Sequence, residues 1–132
     1  MIPALWSVFI QSLRPLTRLQ PQDINYTSTP SPSLPTQYGT HHQLYRIDGE
    51  LVAMSVLDIL PNCVSGVYFM YSNKWEHCQL GKLSVLREAA LAREIQAAGL
   101  ASMKWVYLGE RTICIPGRML TTQGSTSTRA RR

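Results

Sequence analysis

One stretch limits the folds open to this chain more than any other. Residues 51–60 are almost continuously apolar, with Ser55 and Asp58 as the exceptions. The run is bounded by Asp48-Gly49 on one side and Pro61-Asn62 on the other. An apolar run of this length between two breaks is typical of a central strand covered on both faces of a sheet. Asp48-Gly49 also suits a type I′ hairpin turn, in which both central residues need positive φ.

Two neighbouring segments extend this strand into a sheet. Residues 42–47 alternate loosely between polar and apolar side chains, and residues 64–71 are rich in β-branched and aromatic types that favour strands. Each is joined to the central run by a short break. The sequence therefore predicts a three-stranded antiparallel meander.

After a polar loop at residues 72–79 the hydrophobic period changes to that of a helix. Alanine-rich filling supports helix formation, and Gly99 is well placed just past the end. The apolar segment 105–108 is expected to return parallel to an earlier strand through a crossover. The predicted class is α/β (α+β), an antiparallel meander plus a crossover helix. Its expected buried stripe consists of Leu83, Leu86, Ala90 and Ala97, broadened by Leu91 and Ile95.

The two ends differ in composition from this middle part, residues 38–109. Residues 1–37 hold six of the eight prolines, which favours a largely unstructured lead-in or linker, with one or two helical turns at 6–13 as an option. Up to Glu110 the eight acidic and eight basic residues cancel, and five arginines follow. The net charge of +5 therefore belongs to residues 111–132, which lie in a basic Ser/Thr/Arg tail (110–132) that is expected to be disordered.

Cysteines and histidines show no pattern of a metal site or a disulfide framework. Cys63, Cys78 and Cys114 contain no Cys-x-x-Cys pair, and the histidines lack metal-ligand spacing. Residues 2–10 are apolar but too few to span a membrane, and they lack the basic start of a signal peptide. We therefore expect no metal, no bound cofactor and no membrane association, and a location in the cytosol or the nucleus.

Four blocks follow one another within residues 38–109: His42-Gln43-x-Tyr45-Arg46-x-Asp48-Gly49, Asp58-Ile-Leu-Pro61, Cys63-Val-Ser65-x-Val-Tyr68 and Leu80-Gly81-Lys82-x-Ser84-x-Leu86-Arg87-Glu88. In this order they resemble the C-terminal domain of arginyl-tRNA–protein transferases. The resemblance implies a fold similar to that of GCN5-related N-acetyltransferases, present here as a partial domain. It also implies transfer of arginine from Arg-tRNA to the α-amino group of proteins that begin with Asp or Glu, which marks them for ubiquitin-dependent degradation (the N-degron pathway).

The resemblance stops after Gly109. The family usually continues Tyr-Tyr-Ile-His-Ser-Cys, whereas this chain continues Glu110-Arg-Thr-Ile-Cys-Ile115. In a shifted frame, codons for residues 111–116 can spell Tyr-Tyr-Leu-His-Ser. One hypothesis is therefore a lost reading frame near Glu110, which transcript sequencing would test, and the other is a genuine basic tail.

The family's N-terminal half, with its cysteine-rich metal or iron–sulfur site, has no counterpart in this sequence. We therefore expect an incomplete enzyme of low activity. The alternative is a non-catalytic fragment that binds tRNA or a partner protein. An acyl-CoA acetyltransferase is disfavoured, because residues 79–84 contain one glycine where such enzymes have a richer pyrophosphate loop.

The start of the predicted helix is the candidate phosphate-binding segment. Backbone N–H groups and the positive helix end attract phosphate there. Gly81 permits close backbone approach and Lys82 adds a charge. The resemblance adds Ser84 and Arg87 to the contacts with the tRNA acceptor end. An ordinary helix start remains the alternative, as does a solvated or paired position for Arg87 and Glu88.

Asp58 is the candidate catalytic residue, because a carboxylate inside an apolar strand needs a partner. It would receive the guanidinium of arginine or act as a base toward the amine. The alternative is a strand-end aspartate satisfied by turn amides. Tyr71 is the candidate for stacking on the terminal adenine, and the resemblance adds Gln43 and Tyr45 to the substrate- or tRNA-binding residues.

Overall fold

A computed structural model describes residues 6–12, 22–109 and 111–116. The described residues form one six-stranded sheet, with strands in the order β1 to β6, and one α-helix. This is a mixed α+β architecture, as the sequence predicts. None of the described helices is long and apolar enough to cross a membrane. In chain order the elements are β1 (Trp6–Ser12), β2 (Gly39–Ile47), β3 (Glu50–Ile59), β4 (Cys63–Tyr71), a 3-10 helix (Asn73–Cys78), α1 (Leu80–Ala97), β5 (Trp105–Leu108) and β6 (Arg111–Cys114).

The predicted meander is confirmed. Strands β2, β3 and β4 pair antiparallel in sequence order. Asp48 and Gly49 at the first turn have φ of 50° and 83°, as a type I′ turn requires. After α1 the chain returns as β5, which pairs parallel to β4 from Cys63↔Trp105 to Gly66↔Leu108. The parallel return predicted for residues 105–108 is therefore also confirmed.

Two strands lie where the sequence analysis expected none. The helical turns considered for residues 6–13 are wrong, because Trp6–Ser12 is a strand paired antiparallel to β2. A sheet edge offers unpaired backbone groups to such a β-prone segment. At the other end Arg111–Cys114, expected to be disordered, pairs with β5. The rest of both ends, residues 1–5, 13–21, 110 and 117–132, lies outside the described residues.

The proline-rich lead-in is packed against the domain although it contains little regular structure. Ile24 and Leu34 belong to the buried core. The Tyr26 hydroxyl donates to the Pro35 carbonyl at 2.7 Å, and Ser28 Oγ donates to the Ala98 carbonyl at 2.7 Å. Residues 22–38 are thus held to the C-terminal end of α1, which the expectation of an unstructured linker missed.

Helix α1 lies against one face of the sheet. Its C-terminal half packs Leu91 and Ile95 against Ile59, Val64 and Val106, all fully buried. Each such apolar side chain contributes roughly 1.5–3 kcal/mol when it leaves water. A second cluster of Tyr45, Ile47, Val52, Ala53 and Leu80 lies near the start of α1.

The predicted buried stripe of the helix is confirmed only in part. Leu91 and Ile95 are fully buried, whereas Leu86, expected in the same stripe, is 69% exposed, and Ala97 is exposed. The expectation followed apolar residues only, whereas two of the positions that face the sheet are polar. The buried residues of α1 are Leu80, Ser84, Glu88, Leu91, Ala92 and Ile95.

Candidate active site

A cavity opens where β4 and β5 part. Their pairing ends at Gly66↔Leu108, while β4 continues to Tyr71. At the same place Val67 is an extra residue in β4, because Leu57 pairs with Gly66 and Val56 with Tyr68. Such bulges are common beside active sites. The cavity has a volume of about 210 Å³ and is lined by Gly66, Val67, Tyr68, Phe69, Gly81, Ser84, Val85, Glu88 and Leu108.

Backbone groups of two elements border this cavity. Beyond Gly66, the edge of β4 that faced β5 has no strand partner among the described residues. The first N–H groups of a helix also lack partners within the helix. Gln79, which precedes α1, has left-handed φ and ψ and makes no capping bond with its side chain, and the first turn contains no acidic residue. The cavity is therefore bordered by hydrogen-bond donors suited to an anion.

Glu88 is the charged residue of the cavity wall. It is 3% exposed, and its Oε2 atom has no hydrogen-bond partner in the part of the chain that is described. Burial raises the pKa of Glu88 from its ordinary value of 4.5 to about 7, and the Ser55 hydroxyl opposes this to a smaller extent. Although Ser55 Oγ lies near Glu88, it makes no hydrogen bond of standard geometry. With this pKa, both the protonated and the ionised form of the Glu88 carboxyl group are populated near neutral pH.

More buried polar side chains lie behind Glu88, on the face of the sheet toward α1. Gln43 is fully buried, and its Nε2 atom has no hydrogen-bond partner within residues 6–12, 22–109 and 111–116. The Tyr45 hydroxyl donates to Gln43 Oε1 at 3.4 Å, and burial raises the pKa of Tyr45 to about 12, so its phenol stays protonated. Unsatisfied buried polar atoms each cost free energy and are rare in native structures. Their concentration beside a cavity is typical of a functional site.

Gly66 makes room for the Glu88 carboxylate. A Cβ atom on Gly66 would lie 2.9 Å from Glu88 Oε2, closer than real Cβ contacts allow. The carboxyl group therefore lies directly over the β4 backbone at the last residue that pairs with β5.

Of the residues predicted to bind phosphate at the helix start, two line the cavity and two lie outside it. Gly81 and Ser84 line the cavity, and Ser84 Oγ donates to the Gly81 carbonyl at 2.8 Å. Lys82 is exposed on the first turn of α1. Arg87 is bound at its Nη1 atom to Glu94 Oε1 at 3.0 Å, which agrees with the paired position considered for it. Glu88 is buried, so a solvated position is wrong for it, and its Oε2 atom has no hydrogen-bond partner among the residues described.

Family membership follows from the sequence comparison. Residues 6–111 match the family model described as arginine-tRNA-protein transferase, C terminus. The chain belongs to this family. The match covers more than half of the chain and ends where the resemblance of the sequence blocks was expected to end.

Comparison with individual proteins of the arginyltransferase family supports this membership. The arginyl-tRNA–protein transferase 1 of Dictyostelium discoideum is 41% identical over 81 residues, 61% of this chain and 12% of that protein. The Drosophila melanogaster protein of the same name is 43% identical over 72 residues, 54% of this chain and 15% of its own length. An aspartate/glutamate leucyltransferase of Pseudomonas fluorescens is 42% identical over 65 residues, 49% of this chain and 25% of its length. The chain thus spans a small part of these relatives.

Asp58 lies away from the cavity of this family member. Its chain neighbours Leu57 and Ile59 are buried toward α1, and successive side chains of a strand point to opposite faces. Asp58 therefore faces the other side of the sheet, where its carboxylate accepts a hydrogen bond from Thr40 Oγ1 at 2.7 Å. The partner is a neighbouring strand residue, not a turn amide. The structure does not bring Asp58 together with Gly81.

The three remaining predicted residues lie on the side of the sheet toward α1. Gln43 and Tyr45 are buried behind the cavity, as described above. Tyr71 lies at the end of β4, is 44% exposed, and has its ring 5.9 Å from that of Phe69, a residue of the cavity wall. Within the described residues no group of three or more metal-ligating side chains occurs.

Sequence reasoning missed Glu88, Ser55 and Gly66 as site residues. A signal for Glu88 existed: extending the stripe of Leu91 and Ile95 backward by helical steps of three and four residues leads to positions 88, 84 and 80. Ser55 was visible as a polar exception in an apolar strand. Neither observation identifies a cavity, because the divergence of β4 and β5 is a property of the assembled sheet.

Proposed function

We propose that the chain acts in aminoacyl transfer, moving arginine from Arg-tRNA to the N-terminal α-amino group of proteins that begin with Asp or Glu, in the cytosol or nucleus. The observation that carries this proposal is the cavity between β4, β5 and the start of α1, with the buried Glu88 in its wall, whose Oε2 atom has no hydrogen-bond partner in the described ranges. Membership of the arginyltransferase family supports it. The parallel β4–β5 pair joined through α1 supports kinship with the GCN5-related N-acetyltransferase fold.

The reaction asks little covalent chemistry of the protein. The ester that joins arginine to the tRNA 3′ end is already reactive, so the protein must hold the amine against the carbonyl, keep the amine neutral and stabilise the oxyanion. The unpaired edge of β4 beyond Gly66 offers N–H donors to that oxyanion. The start of α1, with Gly81, Lys82 and Ser84, suits a phosphate of the tRNA acceptor end.

The relatives that match this chain are named for the transfer of different amino acids, and this indicates the step of the reaction to which the chain contributes. Arginyl and leucyl transferases both match about half of it. A segment common to enzymes that transfer such different side chains fits the shared step, which is the meeting of amine and ester carbonyl. Tyr71, at the rim, remains the residue proposed to stack on the terminal adenine. The proposed catalytic role of Asp58 would require substrate on the other face of the sheet.

The experiment is transfer of labelled arginine from Arg-tRNA to a peptide that begins with Asp, with the N-acetylated peptide as control. We expect slow transfer to the free peptide only, because the matched region makes up 12 to 15% of the first two relatives. Robust turnover would contradict the proposed incompleteness of the enzyme. Absence of both transfer and Arg-tRNA binding would contradict the proposed function.

A second candidate function, tRNA or protein binding without catalysis, is favoured by one observation. Five arginines follow Glu110, with no acidic residue among them. Because Arg111–Cys114 forms β6, a truncation after Pro116 preserves the sheet and still removes four of these arginines. Loss of tRNA binding in that truncated chain, with no transfer by the full chain, would favour this candidate.

A further inference from the structure

Within the part of the chain that the structure describes, the buried Oε2 atom of Glu88 has no hydrogen-bond partner. The carboxyl group lies at the middle of α1, over Gly66, and Glu88 lines the cavity although the residue is only 3% exposed. Arg87, the neighbouring cation, is bound to Glu94. A buried acid without a partner destabilises a fold, and service to a ligand would explain why it is present. Among the residues described, Glu88 is the one acidic residue that lines the cavity, and the ligand that suits a lone carboxylate is a small cation.

We propose that Glu88 binds the α-ammonium group of the acceptor peptide and takes the proton that must leave before the amine can attack. This inference rests on the proposed function, and it adds the residue that handles the amine.

Geometry favours an α-ammonium over a bulkier group. The cavity of about 210 Å³ runs along the β4 backbone, and a peptide N-terminus can enter it extended beside the unpaired edge of β4. Gly66 keeps the backbone under Glu88 free of side-chain atoms. The two groups behind it, Ser55 and Tyr45, are uncharged and offer no second anion. One carboxylate with no second acid suits a single positive charge that is to be neutralised.

The titration of Glu88 agrees with this assignment. The groups that face it are Ser55 of β3 and Tyr45 of β2, and Tyr45 stays protonated at neutral pH. With burial raising its pKa to about 7, Glu88 accepts a proton from an ammonium group far more readily than an ordinary glutamate does. A base with a pKa near the operating pH is the one that general base catalysis needs.

The step balances without any further reactant. The Glu88 carboxylate takes one proton from the ammonium, and the nitrogen lone pair then forms the C–N bond to the ester carbonyl carbon while the carbonyl electrons move to the oxygen. Collapse of this intermediate breaks the bond to the ribose oxygen, which receives the second proton from nitrogen. The products are the amide and the free tRNA hydroxyl, and Glu88 returns its proton to solvent.

The test is a titration of the whole chain labelled with ¹³C in the glutamate carboxyl groups, followed by NMR. Three probes are added separately: the peptide Asp-Ala-Ala amide, its N-acetylated form, and N-acetyl-arginine methyl ester, which carries a guanidinium but no amine. We expect the free-amine peptide to lower the pKa of Glu88 by about 1 or more, because an adjacent positive charge stabilises the carboxylate. The acetylated peptide should leave it unchanged.

Three results would overturn the proposal. They are no response to the free-amine peptide, an equal response to both peptides, and a response to the guanidinium probe alone. This titration needs neither Arg-tRNA nor turnover. A chain that transfers no arginine can still show it, and a chain that transfers arginine can fail it, so the two proposals are tested separately.

Two glutamate-to-glutamine variants show whether the peptide binds at Glu88. Glu88→Gln should reduce the affinity for the free-amine peptide at least tenfold. Glu76→Gln, an exposed glutamate in the 3-10 helix outside the cavity wall, should bind the peptide as the parent chain does. Equal affinity of the two variants would contradict the assignment. If Glu88→Gln does not fold, the titration of the parent chain decides alone.

Discussion

The two halves of α1 bury very different side chains against the same sheet. The C-terminal half buries Leu91, Ala92 and Ile95 in an all-apolar core, whereas the N-terminal half buries Ser84 and Glu88 beside a cavity. The difference follows the strands below. The apolar half packs where β4 and β5 are paired, and the polar half lies where that pairing has ended. One helix thus provides an apolar anchor and part of the wall of the candidate site.

The two halves also differ in what they contribute to stability. Burial of large apolar side chains in the C-terminal half is favourable. In the N-terminal half, each buried polar atom without a partner costs about 1–3 kcal/mol. Among the residues that the structure describes, Glu88 Oε2, Ser55 Oγ and Gln43 Nε2 are such atoms. The arrangement persists because the apolar half and the sheet compensate for it, as is common around functional sites.

The largest effect is expected in the apolar half. Leu91→Ala should lower the free energy of unfolding by about 2–5 kcal/mol, because Leu91 is fully buried and its removal leaves a cavity. Leu86→Ala on the same helix, 69% exposed, should change it by less than about 0.5 kcal/mol. Denaturant unfolding of both variants measures the difference. Similar losses for the two would show that the helix faces the sheet as the apolar stripe predicted.

The pH dependence of stability tests the polar half. The pKa of Glu88 is about 7 in the folded chain and 4.5 ordinarily, so the folded state holds the proton more tightly. The stabilisation from this proton is complete below pH 4.5 and is lost as the pH rises through 7. The loss is about 3 kcal/mol at most. Unfolding measured between pH 4.5 and 8 should show this fall.

Glu88→Gln is the control for that measurement. It removes the titrating group, so the fall in stability between pH 4.5 and 8 should be smaller by the contribution of Glu88. Glu76→Gln should retain the full fall. An identical pH profile for Glu88→Gln and the parent chain would mean that the carboxyl group is better solvated than its burial indicates.

The smallest effects are expected from the glycines at the two ends of α1. Gly81→Ala should raise the free energy of unfolding by up to about 1 kcal/mol, because no atom lies within 4 Å of the added Cβ and alanine favours helix. Gly99→Ala should lower it by at least about 1 kcal/mol, since Gly99 has φ of 115° and its Cβ would lie 2.6 Å from the Thr27 nitrogen.

The affinity of the Gly81→Ala variant for Arg-tRNA tests whether the start of α1 binds phosphate. If the helix start receives phosphate, the added methyl group should weaken Arg-tRNA binding several-fold, despite the gain in stability. Unchanged binding would favour an ordinary helix start. A filter-binding titration at fixed salt concentration measures it, because such affinities depend strongly on salt.

Patterns local to the chain were sufficient for most of the fold. The meander, the Asp48-Gly49 hairpin, the bounds of α1 and the parallel return of β5 all follow from periodicity and turn residues. The terminal strands did not follow, because Trp6–Ser12 and Arg111–Cys114 become strands through pairing with a neighbour. Such a segment becomes a strand because its backbone pairs with the neighbouring strand, and its own sequence pattern does not record that pairing.

The candidate site was only partly visible in the same patterns. Gly81 and Ser84 were found because a helix start has a local signature. Because a charged residue is rarely buried, the patterns predict a surface position for Glu88, and they favour Asp58 as the site residue because it interrupts an apolar strand.

Periodicity alone thus established that a sheet is followed by a helix, and the motif blocks established the family. Which polar residue of that helix is buried depended on tertiary packing. The parting of β4 and β5 beyond Gly66 creates the space that Glu88 occupies, and no one-dimensional pattern records where two strands distant in sequence stop pairing.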